Sequence, residues 1–595
     1  MHSWRYITAV LREFWAHWVS YFVLINMVGV LLSLLVIPIL RWLTRAVLVT
    51  GGVPYLTLTN APQVALQHPA VTVGLLAIGI SVLVLIYLQF AVLLIGVDRI
   101  HRHDGHGWRG LWQSVWGSLR HLRWTSLFFF APYCLIVIPA AGLIVGSSLL
   151  AKVRVPIFIT AWLLERPPLA ALVGLLYIIM TYLAVRWLRV LPLAILGQQH
   201  LRAAARQSWR ATRGHWWFYF VRATLLGVTV WAIAYVWSEA WIGIQQLCDS
   251  YAFAYPAAIV TMTLMVVGKV ILGAMGSTAC LLFLLEPRAL TRPVLPRIQP
   301  HYRRGTLVTA GLVVTGALVG LVAFNAVYLK GAAADHPLTI SHRGVDGNNG
   351  VQNTIPAMRR TAREHPDYIE IDVHETKDDQ FVVLHDENLR TLAGINKTPK
   401  QLTLKQLQRI VVHEHGHHAH LASLDSYLAA ADARGQKLIV EIKTTSHDSR
   451  GMLTRFIHRY AHTLIAHHDR VHSLNYHVVT TLRRRVPHLY VSFILPYALV
   501  LQQTDANAYT LEETTLDDSF VDGAHNHHQA VWAWTVNDAD SMEQMLFIGA
   551  DGIITDHLRM LQRTIRTHND HPSYAERMQF FSNSLDDVAA QSEVD

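Results

Sequence analysis

Tyr368-Ile369-Glu370-Ile371-Asp372-Val373 alternates apolar and acidic side chains with a period of two. In a β-strand that period puts Glu370 and Asp372 on one face and Ile369, Ile371 and Val373 on the other. Two like charges on one side of a strand inside a fold repel each other unless a cation lies between them, which points to a hard divalent metal. The plainer reading is an edge strand with a solvated acidic face. Leu438-Ile439-Val440-Glu441-Ile442-Lys443 repeats the pattern, so that Glu441 and Lys443 share a face. Glu441 is then able to complete a metal shell and Lys443 to meet an anion, with a simple salt bridge as the alternative.

Working outward, short β-type runs at 338–341, 368–373, 381–384, 438–442, 490–494, 531–536 and 552–554 alternate with helical stretches at 355–364, 424–433 and 541–548. Recurrent strand-helix units over this length predict a closed parallel barrel or a doubly wound sheet. The residues able to do chemistry gather at the ends of predicted strands. The first strand runs into Ser341-His342-Arg343-Gly344 and the third into Leu384-His385-Asp386. An arginine offers a planar fork for phosphate, and histidines titrate near neutrality and move protons. Two histidines beside a cation and a basic pair suit phosphodiester cleavage: one deprotonates the attacking hydroxyl, the other protonates the departing oxygen, and the positive groups offset phosphoryl charge.

The first half of the chain is different in kind. Of 595 residues, 52% are hydrophobic and 15% charged, which excludes disorder and is too apolar for one soluble fold. The formal charge of +9 is split: residues 1–330 carry 26 Lys and Arg against 7 Asp and Glu, whereas residues 331–595 carry 24 against 34. The positive charge lies between long apolar runs, so it reads as membrane topology and not as a nucleic-acid surface. Apolar runs at 19–40, 70–97, 125–151, 169–197, 218–244, 257–285 and 306–328 predict about seven transmembrane helices. Arg186 and Arg189 interrupt the fourth, and Arg222 and Glu239 limit the fifth. The N-terminus, with Trp4, Arg5, Arg12 and Glu13 before a run long enough to span, does not read as a cleavable signal.

Basic residues fall in every second loop: Arg99, Arg102, Arg109, Arg120 and Arg123; then Arg202, Arg206, Arg210 and Arg213; then Arg288, Arg292, Arg297, Arg303 and Arg304. Held in the cytoplasm, these loops send the last span outward and leave everything after Lys330 extracytoplasmic. All three cysteines, Cys134, Cys248 and Cys280, lie in the apolar half, so the soluble half has neither a disulfide framework nor a cysteine zinc site. The expected division is a membrane domain over 1–330, a soluble domain over 331–567 and an acidic, irregular tail over 568–595. Mid-span Lys269 reads as a paired or snorkelling residue in the bundle.

Taken in order, His342-Arg343-Gly344, Asn353-Thr354, Glu370-Ile-Asp372-Val, Thr376-Lys377-Asp378, Val382-Val-Leu-His385-Asp386, Asn388-Leu-Arg-Thr391, Glu441-Ile-Lys443, Trp534-Thr-Val-Asn537 and Asp551-Gly-Ile-Ile-Thr-Asp556 resemble the signature of glycerophosphodiester phosphodiesterases over about 338–561. The apolar half resembles, less specifically, the membrane domain that precedes this catalytic domain in some bacterial members. The resemblance implies an α/β TIM-type (β/α)8 barrel after an all-α polytopic membrane domain. It implies one divalent cation, Ca²⁺ or Mg²⁺, held by Glu370, Asp372 and Glu441, with His342 and His385 as the acid-base pair. Arg343 and Lys443 would hold phosphate and Trp534 would border the glycerol pocket. The family chemistry is hydrolysis of a glycerophosphodiester to glycerol phosphate and an alcohol. The resemblance leaves open attack by the neighbouring glycerol hydroxyl, giving a cyclic phosphate as in the related phosphatidylinositol-specific phospholipases C. Deacylated headgroup esters, lysolipids and glycerophosphate polymers are the substrate classes in view, with tethering at the bilayer favouring the last two.

Three positions depart from the family pattern: Gln352 where Glu precedes Asn353-Thr354, Asp379 where Gly follows Thr376-Lys377-Asp378, and His365-Pro366-Asp367 before Tyr368. The first removes a carboxylate from the site's edge, although Gln still offers an oxygen ligand. His413, His415, His417, His418 and His420 could bind zinc or copper but read more simply as a solvated loop, and Arg483-Arg484-Arg485 as a solvated helix face. A different class of reading makes the membrane half a transporter or lipid-handling bundle, with Arg186, Arg222, Glu239 and Lys269 lining a path and the barrel as a sensing module. A catalytically silent barrel is the third reading.

Overall fold

The computed structural model describes the chain apart from residues 1, 54, 58–59, 103–107, 121, 123, 141–148, 151–154, 165, 287–303, 331–336, 499, 502–503, 570–572 and 591–595. Among the described residues, six helices are long and apolar enough to cross a membrane: Trp18–Thr50, Pro69–Arg102, Pro167–Ile195, Trp216–Cys248, Ala254–Leu285 and Gly311–Lys330. A helix satisfies its own backbone polar groups, so the apolar side chains it leaves outside, among them Leu34, Val73, Tyr177, Trp231 and Val313, suit a lipid solvent. The apolar run at 125–151 differs from expectation: it forms the shorter helix Trp124–Ala140. The rest of that run lies mostly outside the described residues, as do Arg123, Lys152, Arg154, Arg288, Arg292, Arg297 and Arg303.

The ionisable groups inside these helices take local partners. Arg186 donates to the Trp209 carbonyl at 2.6 Å and lies 4.2 Å from its ring centroid. Arg222 lies over the rings of Tyr6 and Phe218 at 4.7 and 4.4 Å. Lys269 donates to Ser582 Oγ at 2.9 Å, and Gln579 meets Glu239 at 3.5 Å. Each group is met where it stands, which gives no support to a single shared path.

Those last contacts correct the expected tail. Tyr574–Ala590 is a helix, and it packs against Trp216–Cys248 and Ala254–Leu285. Ala575, Met578 and Phe581 are buried with Ile242, Ala258, Met262 and Met265. The acidic composition hid an apolar stripe at 575, 578 and 581 that finds its partner on the membrane helices.

Among the described residues the soluble half has eleven strands: β1 Leu338–Ser341, β2 Tyr368–Glu375, β3 Phe381–Val383, β4 Val411–Glu414, β5 His417–His420, β6 Leu438–Ile442, β7 Arg470–Ser473, β8 Tyr490–Leu495, β9 Ala508–Glu512, β10 Ala530–Trp534 and β11 Gly552–Thr555. In the order β1-β11-β10-β9-β8-β7-β6-β2, closed by β1 on β2, eight strands pair in parallel and form the barrel. β3 runs antiparallel on β2 outside the ring, and β4 and β5 form a separate antiparallel hairpin. The histidine cluster is therefore a hairpin and not a loop, with His413, His415, His417, His418 and His420 all exposed on it.

Period-two alternation settles what faces the barrel interior. Ile369, Ile371, Val440, Val471, Val491 and Tyr509 turn outward into a core shared with Phe456, Tyr460 and Leu482 of the surrounding helices. Full burial of such side chains is worth about 1.5–3 kcal/mol each. The inward positions begin with a plug, where the Arg470 guanidinium lies 4.5, 4.3 and 5.2 Å from the ring centroids of Tyr368, Tyr490 and Trp532. Two residues farther along the same strands, the inward side chains become Glu370, His472 and Ser492, all buried. The plug closes the N-terminal end of the ring and the polar layer opens at the C-terminal end.

The two halves touch around that open end. Arg41 pairs with Asp517 at 3.1 Å and bonds Ser519, and Tyr55 packs 4.6 Å from Tyr476 and 5.5 Å from Phe493 between centroids. The backbone N–H of Ile157 donates to Glu512 Oε1 at 2.9 Å, and Phe158 lies 5.5 Å from Trp534.

Candidate active site

Strand register brings the predicted acidic residues together. Asp372 on β2 is level with Glu441 on β6, and Glu441 is level with His472 on β7. Lys443, just past β6, reaches Asp372 Oδ1 and Glu441 Oε1, both at 3.0 Å. Asn353 donates to Asp372 Oδ2 at 2.8 Å and accepts from the Asp372 N–H at 3.0 Å. Burial alone would push the Asp372 carboxyl up, but Lys443, His385, Arg343 and the Asn353 hydrogen bond hold it well below the usual range. Glu441 goes the other way: burial raises it, and the neighbouring Asp372 and Glu370 carboxylates add to that rise against the pull of Lys443 and His472. Lys443, although buried, is held charged by Asp372 and Glu441. Such a pocket has more acceptor charge than one ammonium satisfies.

The turn after β1 sets the basic side of the site. Arg343 adopts a left-handed φ of 51°, uncommon for a residue with a side chain, and Gly344 follows at 71°. A Cβ at Gly344 would stand 2.9 Å from the Tyr427 hydroxyl, so the position demands glycine. The bend lets the Arg343 N–H donate to Glu370 Oε2 at 2.9 Å and its Nη1 donate to Gln352 Oε1 at 2.7 Å. Gln352 in turn donates from its backbone to Glu414 at 2.8 Å. Its oxygen is thus engaged by Arg343, and the carboxylate removed by the departure at 352 is met by one arriving from the β4–β5 hairpin.

Each predicted histidine is held at Nδ1 by a carboxylate. His342 lies 2.8 Å from Asp556 Oδ1, and Asp556 also accepts from Asn537 Nδ2 at 2.8 Å. Against the upward push of burial, His342 and Asn537 hold the Asp556 carboxyl well below its ordinary value. His385 lies 2.9 Å from Asp386 Oδ1. It is brought over the acidic group because β3 folds back on β2, with the Leu384 N–H donating to the Asp372 carbonyl at 2.9 Å. Burial lowers His385 below the usual histidine value, a shift opposed by Asp372 and Asp386 and assisted by Arg343 and Lys443. Trp534, at the end of β10, donates from Nε1 to the Thr510 carbonyl at 3.2 Å and faces Phe158 of the membrane half.

One residue of the site escaped the sequence reading. Among the described residues, Glu370, Glu441 and His472 are the one group whose ligand atoms converge as a metal site would need, all within 4.8 Å of one another. β7 is four residues long with polar side chains at Arg470, His472 and Ser473, so it has no hydrophobic run to announce a strand.

Residues 7–315, more than half of the chain, match the membrane domain of glycerophosphoryl diester phosphodiesterase, and residues 342–560 match the glycerophosphoryl diester phosphodiesterase family. A glycerophosphodiester phosphodiesterase of Caldanaerobacter subterraneus is 27% identical over 238 residues, covering 38% of this chain and 98% of its own. The human lysophospholipase D GDPD1 is 47% identical over 57 residues, 10% of this chain and 18% of its own. A solved glycerophosphodiester phosphodiesterase from Parabacteroides distasonis matches 40% of this chain and 99% of its own at 23% identity, with a TM-score of 0.35. The chain therefore belongs to the glycerophosphoryl diester phosphodiesterase family, a multi-pass membrane enzyme with an N-terminal helical domain and a C-terminal phosphodiesterase barrel.

Proposed function

We propose that the barrel cleaves glycerophosphodiesters to glycerol phosphate and an alcohol by general acid-base catalysis between His342 and His385, at the membrane surface. The observation that carries this is the paired anchoring of both imidazoles: Asp556 and Asp386 each accept from an Nδ1, which leaves each Nε2 as the nitrogen that exchanges a proton. Arg343 acts electrostatically on both ends of the pair, through Asp556 and through His385. It supplies a fork for the bridging phosphate, and Lys443 adds a fixed positive charge. One imidazole takes the proton of the attacking hydroxyl while the other donates to the leaving alcohol oxygen; where the attacker is the neighbouring glycerol hydroxyl, the pair then works in reverse, activating a water that opens the cyclic phosphate to glycerol phosphate.

Buried carboxylates on adjacent strands fit a divalent cation, Ca²⁺ or Mg²⁺, with Glu370, Asp372 and Glu441 as its holders. Such an ion, when bound, offsets charge on the phosphoryl oxygens. With full-length protein in detergent and divalent cation, glycerophosphocholine should release glycerol phosphate, and His342→Ala and His385→Ala should each reduce turnover by about 10² or more. Unchanged turnover in either variant overturns the assignment.

The substrate class follows from what surrounds the mouth. Val155, Ile157, Phe158, Trp162 and Leu164 leave an exposed apolar surface beside Trp534. Such a surface suits a glycerophosphodiester that carries an acyl chain, a lysolipid, and the human relative, a lysophospholipase D, is named for that chemistry. Glycerophosphate polymers, the other membrane-borne class, offer this surface no chain. The contacts also support one side for the barrel. Arg41, Tyr55, Ile157, Asp249 and Leu329 all touch it or its C-terminal helix, from helix ends and connections that alternate with the basic loops around Arg99 to Arg120 and Arg202 to Arg213. With the basic loops held in the cytoplasm, the barrel lies on the opposite, extracytoplasmic side. Protease added to intact cells should then cleave the C-terminal half; protection until the membrane is opened would reverse the orientation.

A further inference from the structure

The acidic group leaves one buried side chain without an explanation. His472 is 2% exposed, and among the described residues neither Nδ1 nor Nε2 has a hydrogen-bond partner. A buried imidazole without partners is unfavourable, so something should compensate for it. Its Nε2 lies 3.5 Å from Glu370 Oε1, too long for a good hydrogen bond. Two ligand atoms each about 2.1 Å from one ion, at an angle near 110°, stand about 3.4 Å apart, so this spacing suits two ligands of one cation. Glu441, level with His472 on the neighbouring strand, completes the group. Asp372, level with Glu441 on β2, stays in the group: its Oδ1 meets Lys443 at 3.0 Å just as Glu441 Oε1 does, and beyond that ammonium neither oxygen has a hydrogen-bond partner among the described residues.

We infer that His472 is a further inner ligand of the cation beside Glu370, Asp372 and Glu441, giving a mixed nitrogen and oxygen site that selects a borderline transition ion such as Mn²⁺ over Ca²⁺. An imidazole nitrogen suits Mn²⁺, Fe²⁺ or Zn²⁺ and is a poor ligand for Ca²⁺, which prefers six to eight oxygens. This rests on the barrel's acidic group being a cation site and adds a nitrogen donor to its oxygen ligands. His472 lies beneath the catalytic mouth, next to the Ser492 to Thr510 hydroxyl pair at 2.7 Å on the following strands, so the nitrogen comes from the barrel wall and not from a mobile loop.

The test uses full-length protein in detergent, stripped by chelator and loaded with one equivalent of Mn²⁺. Pulsed electron paramagnetic resonance should show modulation from a directly bound ¹⁴N, and His472→Gln should abolish it. Calorimetry should show Mn²⁺ bound more tightly than Ca²⁺ by the native chain, with the ratio falling at least about 10-fold in His472→Gln. His472→Asp, which restores an oxygen, should keep one site while moving preference towards Ca²⁺. Bound Mn²⁺ without nitrogen modulation, an unchanged ratio in His472→Gln, or no binding by the native chain each overturns the inference. Hydrolysis of glycerophosphocholine is scored separately: nitrogen coordination without turnover contradicts the phosphodiesterase reading alone, and turnover without nitrogen coordination contradicts this inference alone.

Discussion

Nδ1 of His342 and Oδ1 of Asp556 are 2.8 Å apart although 214 residues separate them in the chain. The contact spans the seam at which β11, the last strand in the chain, pairs with β1, the first, so the pairing of the two ends of the domain orients this histidine. Asn537 pins Asp556 from the neighbouring β10 end. Asp556→Asn keeps the shape but replaces an acceptor-only group by an amide, which frees the imidazole to take the other tautomer. The expected loss is about 10²–10⁴-fold in kcat with KM little changed. Steady-state kinetics on glycerophosphocholine checks it, and a change confined to KM contradicts the orienting role.

Lys443 lies between Asp372 and Glu441. Removing one partner of a buried charge cluster leaves the rest uncompensated, at about 3–5 kcal/mol. Lys443→Met should lower the thermal midpoint in metal-free protein and recover part of the loss when cation is added. A metal-free midpoint equal to that of the native chain would show the lysine to be unimportant for the charge balance.

Glu513, in the short turn after β9, is buried and its carboxyl is pushed from an ordinary 4.5 up to about 8, by burial first and then by the charges of Glu512 and Asp538. The folded chain thus keeps a proton that the unfolded chain releases. The resulting contribution to stability is complete below pH 4.5 and is lost as pH rises through 8. Glu513→Gln should raise the thermal midpoint relative to the native chain at pH 8.5 and have little effect at pH 5. Equal differences at both values would rule out titration of Glu513 as the cause.

Phe158 faces Trp534 from the membrane half. Phe158→Ala should therefore raise KM for lysophosphatidylcholine several-fold while leaving glycerophosphocholine hydrolysis within about twofold. Equal effects on both substrates would assign Phe158 to domain packing and not to chain recognition.

How much of this was legible in the sequence depends on the length and patterning of each segment. β2 and β6 could be read because their outward residues Ile369, Ile371, Val440 and Ile442 alternate with Glu370, Asp372 and Glu441, and the register then brings the acidic positions side by side. β7 and β9 could not. Arg470-Val471-His472-Ser473 is short and largely polar, and Ala508-Tyr509-Thr510-Leu511-Glu512 is a five-residue segment without a run of branched apolar side chains. With β7 unseen, His472 had no face to be assigned to. The C-terminal helix was missed for another reason: its partners, Met262 and Met265, are more than 300 residues earlier, and composition carries no record of a distant contact. Pairwise contacts across the domain boundary, such as Phe158 with Trp534, leave no local pattern at all.

The most direct test of the whole account is glycerol phosphate release by purified full-length protein from glycerophosphocholine, comparing the native chain with His385→Ala under saturating divalent cation. Rapid release by the native chain and a loss of about 10² or more in the variant, with cation binding retained in both, is the predicted result. Equal release by both chains, or none by the native chain in any divalent cation, would contradict it.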